Sequence, residues 1–181
     1  MVAGPVAGSR AKPRGKWLIE VHRDMAAFLR GEVQSRSEGP NIATDEGLNR
    51  ILDVMFHGTT QTGTWYCTIV ETNTAPAAAM NYDVPVYTES TAYAEATRPA
   101  YVEAASSGKS MTNTASKAVF TINATKTLYG ASLVSLNTKG DHTGGADNVL
   151  YCYALFAASQ PVISGNVVSL TYVVSMADDG V

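Results

Sequence analysis

Charge is what this chain has least of. Asp, Glu, Lys and Arg make up 16% of its 181 residues, against about 25% in an ordinary soluble domain. The net charge of −3 excludes the strongly basic surface that non-specific nucleic-acid binding requires. Histidine is scarce as well, and none of His22, His57 and His142 stands four residues from another, the spacing by which a zinc helix offers two ligands. The two cysteines, Cys67 and Cys152, lie in separate apolar runs without CxxC spacing and read as buried free thiols. GxSxG, GxGxxG and GxxxxGK[ST] are all missing. The most apolar stretch, "VLYCYALFAA" at 149–158, is about half as long as a bilayer crossing needs, so no membrane partner is expected. Without a charged and then apolar start, no secretory signal is expected, which points to a chain made in a reducing cytoplasm. In that setting the sequon Asn123-Ala124-Thr125 is incidental.

Period-two patterning is what the chain has in abundance. "KWLIEVHRD" puts Trp17, Ile19 and Val21 on one face, and a partner strand is expected in or before "GEVQSRSEGPNI". "TWYCTIVE", "AYVEAASS", "SKAVFTINA", "KTLYGASLVSL", "NVLYCYALFAA" and "NVVSLTYVVSM" follow, separated by connections that include "SGKSMTN" and "SQPVISG". In the last strand Val168, Leu170, Tyr172, Val174 and Met176 share a face; in "AVFTINA" Phe120 and Ile122 do, and in "TLYGASLVS" Tyr129, Ala131 and Leu133 do. One helix interrupts the series. In "TDEGLNRILDVMFHG" Leu48, Ile51, Leu52 and Met55 form a stripe, Thr44 is the N-cap, and Gly58 ends the helix. These elements predict a mainly β fold, an antiparallel β-sandwich or jelly roll of roughly eight strands with one short α-helix.

Two regions stand apart from that pattern. Residues 1–36 hold seven Lys/Arg against three Asp/Glu, a balance of +4, and residues 37–181 hold six against thirteen, a balance of −7. Residues 1–15 are expected to be a basic, flexible N-terminal arm and 16–181 a single sandwich domain. Arg10, Lys12, Arg14 and Lys16 are the candidate contacts of that arm with an acidic partner. The stretch 72–100 has three prolines and weak alternation, so it reads as a long connection with one edge strand around Val86–Tyr93. Tyr82, Tyr87, Tyr93 and Tyr101 lie in or near it and are the candidate exposed aromatics of a glycan-binding surface. The tyrosines within strands, Tyr66, Tyr129, Tyr151, Tyr153 and Tyr172, read as core.

Bond-making chemistry finds no constellation in the sequence, so no enzyme activity and no cofactor are expected. Asp141, Asp147 and Asn148 in "KGDHTGGADN" could offer oxygens to calcium, but the same letters describe a hairpin connection. "SSGKS" at 106–110 reads as a turn, and "TRPAY" at 97–101 as an exposed strand start beside Pro99, with contact to an acidic or planar ligand as the alternative.

The runs "NIATDEGLNRILDVMFHG", "TWYCTIVE", "STAYAEATRPAYVEAASSGKSMTNTASKAVFTINATKTLYGASLVS" and "FAASQPVISGNVVSLTYVVSM" resemble a group of small tailed-bacteriophage structural proteins. The likeness covers about residues 40–176 and lies in a "GLN" helix, a "WY" strand, a "RP.Y.EA" segment and an Ala/Thr/Ser-rich terminal half, in that order. It implies a capsid decoration or cement protein, made in the host bacterial cytoplasm and placed on the capsid surface of the virion. Its partners would be the major capsid protein and copies of itself, as a dimer or trimer. A tail-fibre or receptor-binding component and a free carbohydrate-binding module are the competing expectations.

Overall fold

The computed structural model describes residues 12–145 and 147–177. In chain order the elements are β1 (Lys12–His22), α1 (Met25–Leu29), β2 (Ser35–Pro40), β3 (Ile42–Ala43), α2 (Asp45–Phe56), β4 (Trp65–Val70), β5 (Ala100–Tyr101), β6 (Ser110–Thr112), β7 (Ala118–Thr121), β8 (Lys126–Val134), β9 (Leu150–Val162) and β10 (Val167–Ala177). Two five-stranded sheets result, both antiparallel throughout. The first, sheet A, runs β2-β1-β10 and is completed by β6 and β7, which pair in succession along β10. The second, sheet B, has the order β3-β9-β8-β4-β5. The fold is a β-sandwich.

Sheet A is organised by the pairing of β1 with β10 from Lys12↔Ala177 to His22↔Val167. Alternation sends Trp17, Ile19 and Val21 inward from β1, with Val168, Leu170 and Tyr172 inward from β10, and all six are buried. Trp17 and Tyr172 lie side by side in the register and stack with ring centroids 4.5 Å apart, a contact worth ~0.5–1.5 kcal/mol beyond the area it buries. Between β6 and β7, Asn113 fills the gap along β10. Its Nδ2 donates to the Leu170 carbonyl at 3.2 Å and its Oδ1 accepts from the Tyr172 N–H at 2.8 Å, so neither backbone group is left unpaired in the core.

Sheet B supplies the other inner wall through Cys67, Ile69, Leu128, Ala131, Leu133, Cys152 and Ala154. The face expected for β8 is corrected in one respect. Pairing with β9 jumps from Leu128↔Gln160 to Gly130↔Leu155, and this irregularity turns Leu128 into the core while Tyr129 is only half-buried. The thiols of Cys67 and Cys152 are free and buried, as the sequence suggested. Burial raises both above the ordinary thiol range, Cys152 to about 12.

Other differences concern boundaries. β1 begins at Lys12, so residues 12–15 at the end of the expected flexible arm are strand. β9 continues through Gln160 and Val162, and β6 lies inside "SGKSMTN", where connections were expected. The edge strand expected at Val86–Tyr93 does not form; Glu89 and Tyr93 make isolated bridges to Val70 and Ile122. A second helix, α1, is held by its N-cap Asp24, which accepts from the Ala27 N–H at 2.8 Å. Its five residues are too few to display a stripe.

Helix α2 starts at the expected cap, where the Thr44 hydroxyl accepts from the Gly47 N–H at 2.9 Å, and Gly58 follows it with φ of 75°. It lies directly on β9: a Cβ on Gly47 would stand 2.5 Å from the Tyr151 carbonyl oxygen. Only glycine permits that approach. Seated this way, α2 turns Gly47, Leu48, Ile51 and Val54 toward the protein. Leu52 and Met55, two members of the expected stripe, are left in solvent at 55% and 66% exposure, with Phe56 at 81%.

Candidate functional site

Residues 71–99 cross the outer face of sheet B without becoming a strand, and a second apolar cluster forms beneath them. Met80, Tyr82 and Tyr87 from the crossing pack on Val70, Val134, Leu150 and Tyr153 from the sheet. Sheet B is therefore covered on both faces. The four tyrosines expected to be exposed are all buried, and the glycan-binding expectation built on them is corrected: Tyr82, Tyr87, Tyr93 and Tyr101 are 0%, 6%, 0% and 4% exposed. Each ring finds an apolar wall. Tyr87 lies 4.7 Å from Tyr153, Tyr93 lies edge-on 5.0 Å from Phe120, and Tyr101 lies 5.7 Å from Tyr172, centroid to centroid.

The crossing is fastened by a buried ion pair. Arg98 donates from Nε to Glu89 Oε1 at 2.9 Å and from Nη2 to Glu89 Oε2 at 2.5 Å, and both side chains are fully buried. Its remaining donors reach the Tyr82 hydroxyl at 2.9 Å, the Leu136 carbonyl at 2.8 Å and the Asp141 carbonyl at 2.8 Å. The Gly140 N–H adds a 3.2 Å bond to Glu89 Oε2. Burial alone would raise the Glu89 carboxyl, but the hydrogen bonds and charge of Arg98, with the His142 ring beside it, outweigh it and hold the group below its ordinary value. Loss of solvent works against the Arg98 charge, and Glu89 more than restores it. Arg98 is therefore neither exposed nor placed to meet a ligand, which corrects both readings of "TRPAY". No signal in the sequence separates it from a surface arginine, because its partner Glu89 is nine residues away in a stretch without periodicity.

His142 closes this cluster from the neighbouring loop, with Nε2 3.2 Å from Glu89 Oε2 and its ring 5.5 Å from Tyr82 and 5.9 Å from Tyr87. Beside it Tyr87 and Ser132 share a 2.7 Å hydrogen bond, and Ser132 meets Thr68 at 2.5 Å. Acid, imidazole and hydroxyl thus come close together; Glu89 and the hydroxyls are engaged in holding two loops to a sheet, while neither buried ring nitrogen of His142 makes a hydrogen bond of good geometry. The clefts described next are lined by none of Glu89, Arg98 and His142. In the loop considered for calcium, Asp141 accepts from the Thr143 N–H at 2.7 Å, Asn148 donates to the Thr143 carbonyl at 2.9 Å, and Asp147 reaches Arg50 at 3.5 Å. Asp141 and Asn148 make turn contacts and Asp147 an exposed ion pair, and among the described residues no three His, Cys, Asp or Glu side chains come together as metal ligands would. "SSGKS" is a tight turn bridged from Ser107 to Ser110, with Gly108 and Lys109 at positive φ.

Two clefts open on either side of α2. An apolar groove of about 270 Å³ opens between the helix and the end of the sandwich, floored by Trp65, Tyr101, Tyr151 and Val174. On the other flank a cleft of about 550 Å³ is lined by Asp45, Glu46, Asn49 and Asp53 with Asn81 and Asn148. Arg50 stands between the two. Glu46 turns away from solvent to accept from the Tyr82 and Leu150 N–H groups at 3.0 and 2.7 Å, and burial raises its carboxyl.

The candidate basic contacts divide. Arg10 lies outside the described residues, and Lys12 enters the structure as the first residue of β1. Arg14 and Lys16 are exposed on β1, where Lys16 meets Glu38 at 2.6 Å. They sit on a rigid central strand of sheet A.

Compared with known proteins, the chain matches no family model and no curated protein sequence.

Proposed function

We propose that this protein is a bacteriophage virion structural protein, a capsid decoration protein that clamps neighbouring major capsid subunits and stabilises the head. The observation that carries the reading is the shoulder formed by α2. Leu52, Met55 and Phe56 stand in solvent on a helix seated on β9 by a backbone contact at Gly47, a costly display for a protein that acts alone. A stiff sandwich, of the jelly-roll kind the resemblance suggests, presents that shoulder without yielding, which suits a clip under outward pressure. In this reading the chain works by contact and catalyses nothing. The burial of Tyr82, Tyr87, Tyr93 and Tyr101 weighs against the carbohydrate-binding alternative.

Purified phage heads provide the test. The chain is expected to co-purify with heads, and heads lacking it are expected to break at lower temperature. Recovery with tails instead, together with loss of adsorption in its absence, would establish the tail-fibre alternative.

A further inference from the structure

Surfaces at two places on the molecule match each other in length, polarity and charge. On α2 the exposed residues Asp45, Asn49, Leu52 and Phe56 follow one another at intervals of four, three and four, which places them in a single outward stripe. Asp53 and Met55 flank it. From Asp45 to Phe56 the stripe is about 17 Å long. On the outer face of sheet A, Arg14, Lys16 and Leu18 point outward from β1, opposite the inward Trp17 and Ile19. Lys16 is cross-strand from Val173, and Arg36 extends the same face through its pairing with Glu20. The run from Arg14 to Leu18 is about 14 Å. Half-buried Leu18 and Val173 give it an apolar centre. Glu38 offsets Lys16 at 2.6 Å and Lys117 offsets Glu20 at 2.5 Å, so Arg14 and Arg36 carry the excess charge. One surface is apolar with an acidic border; the other is apolar with a basic border.

We propose that copies of this chain associate head to tail, with α2 of one copy lying on the outer face of β1 and β10 of the next. Leu52 and Phe56 cover Leu18 and Val173, while Asp45 and Asp53 face Arg14 and Arg36 of the neighbour. Because the two surfaces differ, the contact is heterologous and builds a closed ring or an extended array, not a face-to-face pair using one patch twice. The contact rests on the self-association that the resemblance implies for a decoration protein and sets the α2 shoulder against a neighbouring copy; sedimentation reads it independently of attachment to a head.

Sedimentation equilibrium of the full chain at low salt, with two charge-reversed variants, tests it. One variant carries Asp45→Lys and Asp53→Lys, the other Arg14→Glu and Arg36→Glu. The unaltered chain is expected to sediment as an oligomer, each variant alone as the single chain, and an equimolar mixture of the two as an oligomer again, since each restores the other's missing charge. Salt is expected to weaken all of these associations. Circular dichroism of each variant alone checks that the sandwich is intact. A single-chain mass for the unaltered protein would overturn self-association altogether. Oligomers that survive both reversals would overturn only these surfaces, as would two folded variants that fail to reassemble when mixed.

Discussion

Sheet A and sheet B are built from the same number of strands, but they meet water differently. Sheet A packs one face on the core, while its other face is open around Arg14, Lys16 and Leu18 and closes toward the far end of β1, where His22, Ser169 and Val167 are buried. Sheet B is covered inside by sheet A and outside by residues 71–99, and β9 is buried without interruption from Leu150 to Ala154. Sheet A is held mainly by alternating side chains. The outer cover of sheet B depends in addition on a buried charge pair, whose removal by halves is far more damaging than its absence.

Five substitutions and a titration bear on that contrast. Arg98→Met leaves Glu89 buried without its partner and is expected to cost ~3–5 kcal/mol in urea unfolding. Adding Glu89→Gln should return part of the loss. Hydrogen exchange should rise first in residues 71–99 and only later in β1 and β10; a uniform rise would show that the cover and the sandwich open as one unit. Tyr172→Ala, in the core shared by both sheets, is expected to cost a similar ~3–5 kcal/mol but without that order of opening. Gly47→Ala drives a methyl group against the Tyr151 carbonyl and is expected to cost ~1–3 kcal/mol, read as a lowered thermal midpoint and loss of helical signal.

The pH dependence is smaller and has a definite sign. Glu89 titrates below its ordinary value when folded, so the stability it contributes is complete above about pH 4.3, the ordinary Glu range, and is lost as pH falls through the folded value. Glu46 is raised, so its contribution is present at low pH and is lost as pH rises through its folded value. Unfolding midpoints of Glu89→Gln should therefore show a flatter acid limb than those of the unaltered protein; an unchanged limb would mean that the pair does not control the cover. Smallest of all, Leu52→Ser on the solvent side of α2 is expected to shift stability by no more than ~0.5 kcal/mol, because the side chain touches little of its own molecule.

The same contrast explains what could be read from the residues. The β-sandwich, the inward sets of β1 and β10, the cap of α2 and the buried thiols all follow from local periodicity and local chemistry. The fate of residues 71–99 does not. Pro76, Pro85 and Pro99 mark an irregular segment, but only a second buried face on sheet B explains why its tyrosines turn inward, and that face arises from strands distant in sequence. The helix was legible as a helix, while its inward side was set by Gly47, a residue that carries no hydrophobic signal.

The partnership of β1 with β10 has a temporal consequence. Trp17 has to wait for Tyr172, which leaves the ribosome 155 positions later, before the middle of its sheet exists. The intervening residues must therefore emerge with an apolar ribbon still seeking its mate, and sheet A is completed only once β10 has been made. A chaperone that shields early β-strands would have its longest task here.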